Sequence, residues 1–340
     1  MSEPTIRVLS LGAGVQSTAV AILAARGDLP RLDAAIFADT GWEPAVVYEH
    51  LGRLDREVLR PAGIPLHRVS MGNIRDDALD PARRFASMPL FVKANPDESC
   101  AACEGTGNAL EGFTVVGCDR CRGTGKAQDG MGRRQCTSEY KLKPILRKVR
   151  ELLGAPLRPD GVPGRVQRGR WAEQWIGIST DESHRALTSK TGVSYARPRY
   201  PLLEPSIADG RSRADCQRIN EAAGFGDTQK SACIGCPFHG NRQWRALRDN
   251  APEEWADAVA FDAAIRNGSA RANAQGQPLR GQMFLHRSRV PLDQAPIDHV
   301  TRREWVSRQG DLLDEIGDLE PRACSPFGCR IEESLEEVPA

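Results

Sequence analysis

The chain has 340 residues, of which 40% are hydrophobic and 27% are charged, and its formal net charge is +1. This length exceeds one domain of about 100–200 residues, and the composition is that of a globular protein with a sizeable core. No apolar run approaches the roughly 20 residues that span a bilayer, and no export signal is evident. We therefore expect a cytoplasmic protein without a membrane partner. A net charge near zero leaves room for local basic patches but not for a wholly basic surface.

The first chemical motif lies where a strand-like segment gives way to a helix-like one. Residues 6–11 are mostly apolar, Gly12 and Gly14 follow, and an Ala-rich helical pattern begins at Val15. Glycines let the backbone approach a phosphate, and the N–H groups of a starting helix attract its charge, so the pattern predicts an anion site. It is neither a Walker A sequence nor the fingerprint G-x-G-x-x-G, because Ser17 replaces the third glycine. A glycine turn without a ligand is the alternative.

Two further polar segments follow strand-like runs. Asp39, Thr40 and Gly41 come after residues 34–38, and Ser-Thr-Asp-Glu-Ser-His-Arg occupies 179–185. Ligands collect at the carboxyl ends of parallel strands, so these segments are expected near the glycine loop if their strands are neighbours.

The order of the three segments resembles the PP-loop adenine-nucleotide α-hydrolase superfamily, and most closely its phosphoadenylyl-sulfate (PAPS) reductase branch. The resemblance covers roughly residues 5–55 and 172–204. It implies an α/β fold with a doubly wound, mainly parallel sheet and an adenine nucleotide at the carboxyl edge. The nucleotide-binding residues that it implies are Ser10, Gly12, Ala13, Gly14, Gln16, Ser17, Thr18, Asp39, Thr40, Gly41, Asp181, Glu182 and Arg185.

Ten cysteines in a chain without an export signal are expected to be metal or redox ligands, because the cytosol keeps thiols reduced. Four lie in two C-x-x-C-x-G-x-G repeats, at Cys100, Cys103, Cys118 and Cys121. Two such knuckles complete a tetrahedral four-sulfur zinc site, and a site without an open position is structural. The repeats resemble half of the zinc domain of DnaJ chaperones. Their polar, turn-rich flanks are typical of an insertion.

A second group of cysteines comprises Cys136, Cys233 and Cys236. It resembles the adenylyl-sulfate (APS) reductases of the same branch, in which a cysteine before a Lys–Pro segment and a later C-x-x-C bind a [4Fe–4S] cluster. Those enzymes have paired cysteines at the first place, whereas Thr137 follows Cys136 here. Cys216, in the first turn of a predicted helix, is the candidate fourth ligand. The alternatives are a second zinc on these four residues and, at Cys216, a buried free thiol.

The last pair, Cys324 and Cys329, is the candidate catalytic site. PAPS and APS reductases keep a nucleophilic cysteine on a C-terminal tail within Glu-Cys-Gly-Leu/Ile-His, but that Glu and His are absent here. A cap on the iron–sulfur site and a further metal knuckle are the alternatives.

Two enzyme hypotheses compete. In a sulfonucleotide-reductase-like enzyme, helped by a thiol reductant, a cysteine thiolate attacks the sulfur of APS or PAPS. Gln16 favours it, because ATP pyrophosphatases of the superfamily usually have Asp there, but Ser179 and Thr180 stand where reductases have two arginines.

The second enzyme hypothesis is an ATP pyrophosphatase, with magnesium, that adenylates a nucleic acid or small molecule and delivers sulfur to it. The zinc knuckle, the iron–sulfur cysteines and the basic residues between Arg133 and Arg170 favour it, although a solvated helix face explains the basic residues equally well. A non-enzymatic zinc-knuckle adaptor is the third hypothesis.

The expected domains are a nucleotide-binding domain formed by residues 1–90 and 132–205, a zinc-knuckle insertion at 91–131 and a helical C-terminal region at 206–340 that carries the redox cysteines.

Overall fold

The computed structural model describes residues 3–83, 88–111, 114–188, 192–204, 210–268 and 281–300. These residues form two compact units. The first unit contains the chain up to Gly72 and Thr137–Cys233, and the second contains Asn73–Cys136 and the segment that starts at Ile234. The division differs from the expected domain boundaries at both ends. Residues 73–83, 88–90 and 132–136, expected in the nucleotide-binding domain, belong to the second unit, and residues 210–233, expected in the C-terminal region, belong to the first. Cys324 and Cys329 lie outside the described residues.

Ten strands and eight α-helices are present in the described residues. The strands are β1 (Ile6–Leu11), β2 (Ala34–Asp39), β3 (Leu66–Ser70), β4 (Phe91–Lys93), β5 (Asn108–Glu111), β6 (Thr114–Gly117), β7 (Gly130–Met131), β8 (Ala172–Ile176), β9 (Ala196–Arg199) and β10 (Gln282–Phe284). The helices are α1 (Val15–Arg26), α2 (Ala45–Leu54), α3 (Ile74–Leu79), α4 (Lys143–Leu152), α5 (His184–Thr188), α6 (Arg213–Ala222), α7 (Asn241–Asn250) and α8 (Pro252–Ala264).

The first unit is built on a five-stranded sheet in the order β3-β2-β1-β8-β9, and every neighbouring pair is parallel. Side chains of a strand alternate between the two faces, and both faces are apolar here. Leu9 and Leu11 of β1 pack in one core with α1, α2 and α6, whereas Val8 packs in another with Ile145 and Val149 of α4. The expectation of an α/β fold with a parallel sheet is confirmed, and helices on both faces are compatible with a doubly wound fold.

The strand order places a change of direction beside β1. The chain runs from β1 outward to β2 and β3, then returns to β8 and β9 on the other side of β1. The loops that leave the carboxyl ends of β1 and β8 therefore diverge, and a crevice opens between them. Gly12, Gly14 and Gly177 lie in these two loops.

The second unit contains an antiparallel sheet in the order β10-β4-β7, a hairpin of β5 and β6, and helices α3, α7 and α8. The buried carboxylate of Asp262 on α8 organises part of it, because it accepts hydrogen bonds from the amides of Leu285 (2.7 Å) and Leu292 (3.0 Å). Among the described residues, no helix has both the length and the apolar character needed to cross a membrane.

Candidate functional site

The loop between β1 and α1 brings backbone donors together at the start of a helix. The amides of Gly12 and Gly14 each lie 3.3 Å from the Oγ of Ser17, which in turn donates to the carbonyl of Gly14 at 3.1 Å. Ala13 has a φ of 55°, in the left-handed region that side chains other than glycine rarely adopt, and its methyl group is buried in the core. The amides of Gly12 and Gly14 therefore converge on the hydroxyl of Ser17, at the positive end of the α1 dipole.

An open cleft lies over this loop, and the empty space in it, open solvent included, is about 500 Å³. It sits at the crevice between β1 and β8. Its lining combines the glycine loop, the end of β8 and three basic side chains. The lining residues are Ser10, Gly12, Gly14, Val15, Gln16, Ser17, Ile176, Gly177, Glu182, Arg185, Arg213, Lys230 and Ser231.

Gly177 allows the end of β8 to touch the first turn of α1. A Cβ at this position would lie 2.8 Å from the amide nitrogen of Ser17 and 2.9 Å from the carbonyl carbon of Gln16. Those atoms are backbone, so any larger residue must displace the glycine loop or the strand. Gly177 belongs to the sequence motif that precedes residues 179–185, but it was not among the sequence-predicted nucleotide residues.

The wall opposite the glycine loop is held by an ion pair. The Nη1 of Arg185, a residue that is 5% exposed, lies 2.5 Å from the Oε2 of Glu182. The Nε2 of Gln16 donates to the same oxygen at 3.4 Å, so this pair also connects to α1. Asp181 does not face the cleft in the same way, because its carboxylate accepts from the backbone amide of Arg213 at the start of α6.

The cleft contains seven of the thirteen sequence-predicted nucleotide residues. They are Ser10, Gly12, Gly14, Gln16, Ser17, Glu182 and Arg185. The six that do not line it are Ala13, Thr18, Asp39, Thr40, Gly41 and Asp181. Sequence reasoning missed Arg213 and Lys230, two of the three basic side chains in the cleft.

Two of the six residues outside the cleft have their polar groups engaged elsewhere. The hydroxyl of Thr18 lies 2.9 Å from the Nε2 of His50, and burial lowers the pKa of that histidine. Asp39 accepts from the hydroxyl of Tyr48 at 2.7 Å and from the amide of Gly41 at 2.8 Å. Burial, together with the hydrogen bond to Asp39, raises the pKa of Tyr48. Asp39 thus shapes the loop after β2.

A buried polar network lies beyond the end of β2. The Oε1 of Glu43 accepts from the Oγ1 of Thr40 at 3.0 Å and lies 3.4 Å from the Nζ of Lys141. The Sγ of Cys233 is 3.3 Å from the hydroxyl of Thr40 and 3.7 Å from the same Glu43 oxygen. The side chain of Glu43 is fully buried, and that of Lys141 is 10% exposed. A buried carboxylate needs such a partner, and neither residue was singled out from the sequence.

The structure places Cys216 in an apolar environment. It lies on α6, fully buried in the core that α6 shares with α1, and burial raises the pKa of its thiol to about 12. Because the thiol packs among apolar side chains of this core, its placement favours the buried free thiol over the fourth iron–sulfur ligand. Cys233 belongs to the first unit and Cys136 and Cys236 to the second, so the cluster stays a prediction.

The four knuckle cysteines of the second unit form a metal-type site. Cys100, Cys103, Cys118 and Cys121 are all buried, and their sulfur atoms lie within 4.8 Å of one another. The sulfurs of Cys103 and Cys121 are 3.7 Å apart, close to the edge of about 3.8 Å in a tetrahedron with metal–sulfur bonds of about 2.3 Å. The sequence-based grouping of these cysteines is confirmed as a set that can bind a metal ion.

The glycines of the repeat explain why the two knuckles fit each other. The amides of Gly107 and Gly125 donate to the sulfurs of Cys103 (3.2 Å) and Cys121 (3.3 Å), respectively. Both glycines have positive φ values, of 76° and 70°. A Cβ on Gly107 would overlap the carbonyl oxygen of Gly123, so only glycine allows this approach. Each knuckle therefore bonds its own sulfur, and the close approach of Gly107 to Gly123 packs the two knuckles together.

Comparison of the chain with protein-family models, with curated proteins and with solved structures found no match. The resemblance to PP-loop enzymes accordingly stays a prediction from the three sequence motifs.

Proposed function

We propose that the cleft over the glycine loop binds the phosphate or phosphosulfate end of an adenine nucleotide, and that the chain is a PP-loop enzyme of the PAPS reductase-like kind. In this proposal the nucleotide is APS, PAPS or ATP, and the chemistry is sulfur transfer or reduction. The observation that carries the proposal is the convergence of the Gly12 and Gly14 amides at the start of α1, opposite Arg185, Arg213 and Lys230.

Each of these groups suits an anion with several oxygens. Backbone amides at a helix start supply donors and a positive end of the dipole. Guanidinium groups such as those of Arg185 and Arg213 match two oxygens at once, and the ammonium group of Lys230 supplies a compact charge. Ser17 would exchange its weak bonds to the loop amides for a bond to the ligand. The loop then needs little rearrangement to bind.

An ATP pyrophosphatase is the second candidate, and Glu182 favours it. The side chains of Arg185 and Gln16 both donate hydrogen bonds to the Oε2 of this carboxylate. The side chain still lines the cleft, where an anion alone would meet repulsion. Magnesium binds through one or two carboxylates together with phosphate oxygens, so Glu182 would hold it beside a triphosphate. Ser179 stands at a position where reductases have arginine, and its neutral, fully buried side chain supplies no positive charge for a phosphosulfate.

The four-cysteine site has a separate role in this proposal. Zinc on Cys100, Cys103, Cys118 and Cys121 would stabilise the insertion, because four thiolates leave no position for a reacting water. A [4Fe–4S] cluster that includes Cys136, Cys233 and Cys236 remains part of the proposal as a prediction from the resemblance.

Calorimetric titration of anaerobically purified protein with APS, with PAPS and with ATP plus magnesium tests the proposal. We expect one of the three to bind, and Lys230→Gln to weaken that binding about tenfold, the loss of one charge-assisted contact. Lys126→Gln, a lysine substitution in the second unit, is the matched control and should bind like the parent chain. Protein that binds none of them while retaining zinc would favour the adaptor.

A further inference from the structure

The segment between α4 and β8, residues 153–171, is an exposed basic loop. It carries four arginines, Arg158, Arg165, Arg168 and Arg170, and a single acidic residue, Asp160. All four arginines are exposed. The loop thus has a net charge of +3, from four positive charges and one negative charge.

The basic helix beside it does not supply a second surface of this kind. Arg147 on α4 donates to the carbonyl of Gly161 at 3.0 Å, and Arg150 donates to that of Pro163 at 2.7 Å. These two arginines therefore hold the loop in place. Lys148 on the same helix pairs with Glu151 at 2.6 Å. These three basic residues of α4 are therefore engaged with the loop or with Glu151, and the loop is the part of the basic stretch considered as a nucleic-acid surface.

Within the loop, one arginine is neutralised and three are not. Arg158 forms an ion pair with Asp160 at 3.0 Å. The side chains of Arg165, Arg168 and Arg170 form no ion pair with any residue that the structure describes. Surface arginines without acidic partners raise the local potential, and nearby anions are attracted to it.

The neighbouring strands extend this positive surface. The exposed guanidinium of Arg197 on β9 lies 4.3 Å from the ring centre of Trp171, the residue next to Arg170. The nearest acidic residue along β8, Glu173, is already bonded to Arg199 at 2.9 Å. Arg197 therefore adds a fourth cation to the surface.

We propose that Arg165, Arg168, Arg170 and Arg197 form a surface that binds the phosphate backbone of a nucleic acid. Guanidinium groups bind phosphates with two parallel hydrogen bonds. Gly169 adds access to the backbone, since its φ is 89° and the space beside it is empty. The surface lies at the amino ends of β8 and β9, about 16 Å from the cleft, because β8 has five residues at about 3.3 Å each. It is therefore independent of the nucleotide cleft.

Fluorescence anisotropy with the full chain tests this proposal, using a labelled 20-nucleotide single-stranded RNA and a 20-base-pair DNA duplex at three salt concentrations. We expect binding that weakens with salt, and a loss of about tenfold or more in Arg165→Gln/Arg168→Gln/Arg170→Gln. For the single strand the slope of log K against log salt should fall by about 2, since each lost phosphate contact removes about 0.7.

Arg158→Gln/Asp160→Asn is the matched control, because it removes a neutral pair from the same loop and should leave both affinity and slope unchanged. If the triple variant does not fold, Arg165→Gln alone should lower the slope by about 0.7. The proposal is overturned if the parent chain binds neither nucleic acid at 50 mM salt, or if the variants bind like the parent. Binding to phosphatidylserine vesicles without binding to nucleic acid would also overturn it.

Discussion

Gly177, directly after β8, packs against Ser17 in the first turn of α1. A methyl group on Gly177 would lie only 2.8 Å from the amide nitrogen of Ser17. This contact fixes the distance between the two loops that flank the cleft. The Oγ of Ser17 also accepts hydrogen bonds from the amides of Gly12 and Gly14. A larger residue at position 177 would therefore displace the glycine loop as well.

We expect Gly177→Ala to lower the free energy of unfolding by about 1–3 kcal/mol, the usual cost of overpacking. It should also weaken nucleotide binding, because the glycine loop must move. Gly52→Ala, inside α2 and without such a contact, is the control and should stabilise by about 0.5–1 kcal/mol. Denaturant titration and calorimetry measure both effects. A Gly177→Ala variant as stable as the parent would contradict the packing argument.

The knuckle site predicts one zinc per chain. Cys100→Ser/Cys103→Ser should lose that metal and unfold the insertion locally, since metal binding and folding are coupled in such sites. Metal analysis and hydrogen exchange provide the measurements, and Ser99→Ala next to the site is the control that should keep the zinc. Full zinc content in the double variant would show that the metal lies elsewhere.

Glu43 and Lys141 form a buried ion pair, so removing Lys141 alone should destabilise the protein more than removing both charges. Lys141→Met leaves a buried carboxylate without its charge partner, which should cost about 3–5 kcal/mol. Adding Glu43→Gln should recover part of that loss, because the second change removes the unpaired charge. Chemical denaturation of the two single variants and the double variant measures the coupling. Strictly additive losses would mean that the two residues do not depend on each other.

We expect mutation of Cys216 to leave the metal content of the protein unchanged. If the thiol is a core residue, Cys216→Ala should cost about 1 kcal/mol of stability and leave iron and zinc unchanged in anaerobic protein. Cys233→Ala is the comparison, and by the resemblance to APS reductases it should abolish absorption near 400 nm. Loss of iron from folded Cys216→Ala would restore Cys216 as a ligand.

We expect His286 to make the stability of the second unit fall as the pH is lowered. Its Nδ1 accepts from the amide of Ser288, its Nε2 lies 3.1 Å from the Oδ1 of Asn241, and burial lowers its pKa to about 4. The unfolded chain therefore takes up a proton near pH 6.5 that the folded chain binds only near pH 4. The contribution of His286 to stability is complete above pH 6.5 and is lost as the pH falls toward 4.

Denaturant titrations between pH 7.5 and 4 measure this effect. His286→Gln keeps a polar side chain that does not titrate, so its stability should fall less steeply over that range. His299→Gln, a substitution at an exposed histidine of the same unit, is the control. Equal slopes for the parent and His286→Gln would contradict the assignment.

Local patterns determined the parts of this protein whose groups are close in the chain. The knuckle at Cys100 and Cys103 and the glycine loop at Gly12 and Gly14 could be predicted because covalent spacing and backbone conformation alone bring their ligands together. The order of three local motifs, each after an apolar strand-like run, likewise predicted the α/β class with a parallel sheet through its resemblance to PP-loop enzymes. Tertiary structure decided the rest. Arg213 and Lys230 reach the cleft because α6 packs against α1 and the segment after α6 approaches Gly14, which joins parts of the chain about two hundred residues apart. The burial of Cys216 depends on how α6 packs against α1, so the sequence did not separate a core thiol from a ligand. A local sequence pattern shows which contacts neighbouring residues can make, whereas strand order and helix packing determine which distant residues come together.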